Sequence, residues 1–369
     1  MVSKPKLKFI NQVEPWIGRE ESRLMARYLR SGSWLAEFEQ TKEFEKKFAN
    51  VLGADYAVAV SNGTVALILS LMALGIGRGD EVIVPDYTMI ATANAVLMAG
   101  AKPVFADIEA GTLSLDLDHL PITKKTKAII HVSINGRTGD IVELAKICQS
   151  KNIYLIEDSC QSFTSRYRGR PLGTFGEVGC FSLTPHKIIT TGQGGMMVTN
   201  RKELYEKIKK LKNFGRLEGG GDYHETVGYN FRFSDLQAVI GLAQIGNLRE
   251  RIKKKKELYQ LYKDNLSEVK EVEFIKTDLA ETTPMFMDVL VPAERRAKLM
   301  QFLKDHQIGS RAFYPSINSQ PAYRGFTKHK FPVSAAISRR GLWLPSSLTL
   351  PKSEVNYICQ TIKKFFHGF

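Results

Sequence analysis

Short apolar runs separated by helical segments constrain this chain more than any other feature. They fall at Tyr56–Val60, Glu81–Pro85, Lys102–Ala106, Ala128–Ile134, Ile153–Ile156, Val178–Leu183 and Met196–Thr199. Runs this short read as buried strands, and their β-α repetition predicts a mostly parallel sheet. From about Leu248 the pattern changes to a long charged helix, followed by strands at Val272–Ile275 and Phe286–Val291. At 369 residues the chain exceeds one ordinary core. The expected class is therefore α/β. A large domain with N-terminal helices covers 1–247, and a smaller α+β domain covers 248–369.

A sheet of this kind keeps its chemistry beyond the carboxyl ends of its strands. The stretch from Tyr154 to Asn200 puts reactive residues there. One apolar run stops at the acidic pair Glu157-Asp158. The next gives way to Thr184-Pro185-His186-Lys187, and then to a turn containing Gly192, Gly194 and Gly195. A lysine amine can form a Schiff base with the aldehyde of pyridoxal 5'-phosphate and then act as the base that moves a proton. A carboxylate facing the pyridine nitrogen keeps it protonated, so the ring can accept electrons. Alone, either residue has a plain alternative: a surface lysine, or an acidic pair that binds metal or caps a helix. Together they point to Lys187 and Asp158 as one catalytic unit.

Elsewhere the pattern supplies further candidates. Ser61-Asn62-Gly63-Thr64 joins a strand to a buried helix predicted over Val65–Gly75, so it is either an ordinary cap or an anion site. A helix is expected to start within Tyr87–Asn94. Residues 14–52 read as two helices, with Phe38, Phe44 and Phe48 on one stripe. His131, inside an apolar run, reads as a hydrogen-bonded core residue. Gly219-Gly220-Gly221 predicts a mobile loop.

Charge and cysteine content narrow the function classes. A formal net charge of +14 invites a nucleic-acid reading. The densest basic run, Arg249–Lys256, nevertheless has helical spacing and reads as a wet helix face, with no aromatic-basic motif or zinc-finger spacing. Specific nucleic-acid binding is not expected. No apolar run is long enough for a membrane span, and the N-terminus lacks the apolar core of a signal peptide. Cys148, Cys160, Cys180 and Cys359 show no Cys-x-x-Cys spacing. They read as buried thiols in a reducing cytoplasm, with no metal site.

Three blocks carry a family resemblance: E-D-S-C-Q-S from Glu157, G-T-F-G-E-V-G-C-F-S-L-T-P-H-K ending at Lys187, and T-T-G-Q-G-G-M-M-V-T-N ending at Asn200. With similarity from about Glu14 to the Leu-Pro-Ser-Ser run at 344–347, the chain resembles the DegT/DnrJ/EryC1/StrS aminotransferases. The resemblance implies the aspartate aminotransferase-like fold type I, with pyridoxal 5'-phosphate as cofactor. It implies Lys187 as the imine lysine, Asp158 at the ring nitrogen, Gln161 near the ring hydroxyl, and Ser182 on the phosphate with Gly63 and Thr64. Met89 stands where the family usually has an aromatic stacked on the ring, so that seat differs or Tyr87 contributes. The G-Y-N-F-R element implies that Asn230 reaches the neighbour's phosphate in an obligatory homodimer; a helix cap near Ser234 is the alternative. Trp34, Tyr314 and Asn318 would lie near the substrate mouth, with a core anchor as the alternative for Trp34. Relatives that dehydrate sugars carry His where this chain has Lys187, and a non-catalytic regulator on the same fold is the alternative of another class. The implied reaction moves an amino group from L-glutamate to a keto-sugar on a nucleoside diphosphate. C4 of a 4-keto-6-deoxyhexose is favoured, with C3 second.

Overall fold

The computed structural model describes residues 9–216 and 221–368. Gly219 and Gly220 of the expected loop lie outside them. The strands of the main sheet are β1 (Tyr56–Val60), β2 (Glu81–Pro85), β3 (Lys102–Ala106), β4 (Thr126–Val132), β5 (Tyr154–Asp158), β6 (Val178–Ser182) and β7 (Gly195–Thr199). Their order is β1-β7-β6-β5-β4-β2-β3. All neighbours are parallel except those of β7, which runs antiparallel to both β1 and β6. The register sets Val132 beside Asp158, Asp158 beside Cys180, and Gly195 beside both Ser182 and Val60. The carboxyl ends of β1, β4, β5 and β6 therefore finish at one edge.

Alternation along the strands sorts the core into two faces. Ile83, Ile129 and Leu155 pack in one cluster with Ile141, Leu144 and Cys148 of the helix Ile141–Ser150. Ala128, Ile130 and Ile156 join another, with the helix Gly63–Ala73. That helix is apolar on all sides and buried along nearly its whole length, as a helix sandwiched in a core should be. The helix Glu39–Leu52 covers the sheet near β1 and β7 through Phe44 and Phe48. Phe38 does not continue that stripe: it sits at the helix N-cap and is 50% exposed.

The C-terminal part begins with the helix Leu248–Asn265. Its sheet joins β8 (Glu273–Phe274), β9 (Met287–Leu290), β10 (Arg311–Ala312) and β11 (Gly341–Leu344) in the order β8-β9-β11-β10, all antiparallel. Helices Ala293–Asp305 and Lys352–His367 cover it through Leu299, Leu303, Val355 and Ile358. The basic run is not simply a wet face. Arg251 is buried against Glu21 at 3.2 Å, and Lys255 is buried with its amine on the Ser346 carbonyl. Each long side chain found a buried oxygen, which helical spacing alone does not reveal. Among the described residues no helix is long and apolar enough to cross a membrane.

Candidate active site

Beyond the carboxyl edge of the sheet lies a cavity of about 510 Å³, within the usual range of small-molecule sites. Its wall brings together Gly63, Thr64, Met89, Asp158, Gln161, Ser182, Lys187 and Tyr314, all expected from sequence. The acidic pair at the end of β5 divides its labour, because successive strand residues point to opposite faces. Glu157 accepts backbone N–H groups from Gly173 (2.6 Å), Phe175 (2.5 Å) and Gly176 (2.8 Å), and so clamps a loop. Asp158 turns to the cavity. Its Oδ2 accepts from the Thr92 hydroxyl at 2.7 Å and its Oδ1 from the Cys160 N–H at 3.2 Å. Thr92 stands in the first turn of the helix Ala91–Met98, which starts inside the expected Tyr87–Asn94 window.

Lys187 follows β6 in a loop pinned by Thr191 N–H to the Leu183 carbonyl (3.0 Å) and Leu183 N–H to the Gly194 carbonyl (2.9 Å). Its Nζ lies 3.5 Å from Met285 Sδ. Burial holds the amine below the usual lysine range, while Cys160 and Asp158 pull the other way. A neutral amine is the nucleophilic form. His186 is pushed down to about 4, first by burial and then by the charges of Lys187, Arg311 and Lys255. Its imidazole is therefore neutral near pH 7, and it stacks on Phe286 at 5.8 Å.

At the other end of the cavity, Gly63 and Thr64 open the helix that Asn62 caps by accepting the Val65 N–H at 2.9 Å. A Cβ on Gly63 would lie 2.9 Å from Cys160 Sγ and 3.1 Å from Ser182 Cβ. One on Gly195 would lie 2.4 Å from the Asn62 carbonyl carbon. Glycine at these places lets a helix N-terminus, a ready anion site, sit directly beside Ser182. The donor set fits pyridoxal 5'-phosphate: a fixed carboxylate for a ring nitrogen, a desolvated amine for an aldehyde, and helix N–H groups with hydroxyls for a phosphate.

Other expected residues lie elsewhere. Trp34 is 65% exposed and outside the cavity wall. Asn230 is exposed, with its Oδ1 accepting from Arg232 at 3.1 Å, and does not line its own chain's cavity. Asn318 uses its backbone N–H on Asp86 Oδ1 at 2.8 Å and is also off the wall. Tyr87 is fully buried between Phe313 and Tyr314, so it cannot replace Met89 at the cavity. Cys160 is a correction of another kind: this thiol is half-buried and lines the cavity. Sequence reading passed over Thr88, Thr92, Gln193 and Arg311, which also surround or support the site. The four-residue spacing of Thr88 and Thr92 was the available signal for that pair.

A model of the DegT/DnrJ/EryC1/StrS aminotransferase family matches residues 15–363. The chain is 36% identical to GDP-perosamine synthase of Escherichia coli O157:H7 over 98% of its own length and 99% of that protein. Its fold superposes with a TM-score of 0.92 on the aminotransferase TlmJ from Streptoalloteichus hindustanus, at 30% identity, covering 97% of this chain and 99% of the other. It also matches the PLP form of Spr1654 from Streptococcus pneumoniae, with a TM-score of 0.91 at 27% identity, covering 98% and 99%. The strand-end carboxylate, the desolvated lysine and the helix N-terminus thus stand in a chain that belongs to the DegT/DnrJ/EryC1/StrS aminotransferase family, as a pyridoxal phosphate-dependent enzyme.

Proposed function

We propose that this aminotransferase moves the amino group of L-glutamate to C4 of a 4-keto-6-deoxyhexose carried on a nucleoside diphosphate, for surface polysaccharide or glycan synthesis. The observation that supports this reading is the nearly full-length match, at 36% identity, to a GDP-perosamine synthase, joined to a cavity whose donors suit the cofactor. When bound, the cofactor supplies an aldehyde carbon and a ring that takes up electrons from the carbon losing its proton. Asp158, held by Thr92 and the Cys160 N–H, keeps the ring nitrogen protonated. Gly63, Thr64 and Ser182 would hold the phosphate, and Gln161 would donate to the ring oxygen. Lys187 Nζ, whose pKa burial lowers, moves the donor's α-proton. Arg311, which makes no ion pair among the described residues, gives an anionic substrate a positive charge at the wall. Two half-reactions through one site require ping-pong kinetics.

The reading includes a cytoplasmic homodimer and a division of the chain at 247/248. Asn230, exposed and off its own cavity, is suited to serve the partner's. Exposed Trp34, Tyr223 and Val227 offer apolar surface for a second copy to cover. A panel of nucleotide-linked 3-keto and 4-keto sugars, with glutamate as donor and NMR assignment of the product, tests the substrate. Amination at C4 is expected; amination only of a 3-keto sugar contradicts it.

A further inference from the structure

The turn after β4, Ile134–Gly136, lies behind the cavity without lining it. Asn135 there is buried and has φ 52°, a left-handed conformation that asparagine tolerates better than most residues. Its backbone N–H donates to Gln161 Oε1 at 3.0 Å. Its side chain is used at both ends: Nδ2 donates to the Phe286 carbonyl at 3.0 Å, and Oδ1 accepts the Phe286 N–H at 2.6 Å. Two residues on, buried Arg137 pairs with Asp288 of β9 and reaches Thr277 Oγ1 at 3.2 Å. The same C-terminal segment touches the lysine loop, through Met285 against Lys187 and Phe286 against His186.

An amide side chain has one accepting end and one donating end. With Gln161 Oε1 committed to the Asn135 N–H, a flipped amide would set donor against donor in a buried place. It would lose one hydrogen bond and leave a group unpaired. The donating end is therefore the one free to serve the cavity that Gln161 lines. We propose that Asn135 is a positioning residue. Its backbone fixes the donor end of Gln161 toward the cofactor's ring oxygen, and its side chain ties that setting to the Met285–Phe286 segment that packs on Lys187 and His186. The inference rests on the placement of Gln161 beside the ring oxygen proposed above.

The test follows the visible absorbance of the cofactor-loaded enzyme against pH, with cofactor affinity measured by equilibrium dialysis and folding checked by circular dichroism. A donor on the ring oxygen favours its anionic form, so losing that donor raises the midpoint. Gln161→Glu should raise it by about one unit. Asn135→Gly keeps the left-handed backbone and its N–H but drops both bonds to Phe286. It should raise the midpoint by about half a unit and weaken cofactor binding by roughly five- to tenfold, the worth of about one hydrogen bond. Asn135→Asp keeps an acceptor for the Phe286 N–H but sets its second oxygen against the Phe286 carbonyl, so it should move both readings the same way by at least as much. If the glycine variant does not fold, the aspartate variant carries the test. Wild-type midpoints in the Asn135 variants beside a shifted Gln161→Glu would overturn the relay and leave the placement standing. An unshifted Gln161→Glu removes both.

Discussion

The inner wall of the cavity and its mouth are built on different principles. The wall is strand ends and a helix start from one sheet: Asp158 is 6% exposed and held by two donors, and Gly63 is wedged against Cys160 and Ser182. By contrast, Met89 on the same wall is 44% exposed, Trp34 off it is 65% exposed, and exposed Asn230 does not line its own chain's cavity. Fixed groups suit chemistry that is the same for every substrate, because preorganisation avoids reorganisation during reaction. Exposed side chains suit what we propose they meet, the sugar and a partner subunit. On the function we propose, chemistry belongs to the wall and selection to these exposed residues.

Substitutions in the wall should therefore hurt turnover most. Lys187→Ala is expected to lower kcat by a thousandfold or more, about what a lost proton-transfer group costs, with single-turnover rates as the check. Asp158→Asn should weaken cofactor binding by roughly ten- to a hundredfold, since hydrogen bonds to charged groups are the strong ones. At the rim, Asn230→Ala mixed with Lys187→Ala should recover up to about a quarter of wild-type activity, because half the dimers are then mixed and each has one intact site. No recovery would place Asn230 outside the partner's site. Trp34→Ala should raise KM severalfold with kcat nearly kept, the pattern of lost uniform binding. A KM-neutral loss of kcat would move Trp34 into the wall.

A smaller effect concerns stability away from both regions. His131 is buried on β4, its Nε2 2.8 Å from the Thr138 hydroxyl, and burial pushes it down to about 4. The unfolded chain binds a proton near pH 6.5, which the folded chain resists until about 4. Stability is therefore full above 6.5 and falls as pH drops from there towards 4, by on the order of 3 kcal/mol. His131→Gln should flatten that limb in urea titrations; an unchanged pH slope would show that His131 is not its source.

The wall was legible in the sequence because two signals coincide there. Apolar runs mark where strands end, and the residue types at those ends have few other uses together. Lys187 and Asp158 came from those signals and Ser182 and Gly63 from the family resemblance, and all four line the cavity. What escaped depends on contacts between distant segments. Nothing local shows that Thr92 will reach Asp158, or that Arg251 and Lys255 will turn inward from a charged helix. Nor does anything local show that Tyr87, just before the helix that starts at Ala91, is spent in the core against Phe313. The rim was least legible, since its side chains make few contacts within one chain.

Borohydride reduction of the cofactor-loaded enzyme, followed by peptide mapping, tests the assignment of the wall most directly. The tag should appear on Lys187 and on no other lysine at stoichiometric loading. A tag elsewhere, or undiminished turnover by Lys187→Ala, would contradict it.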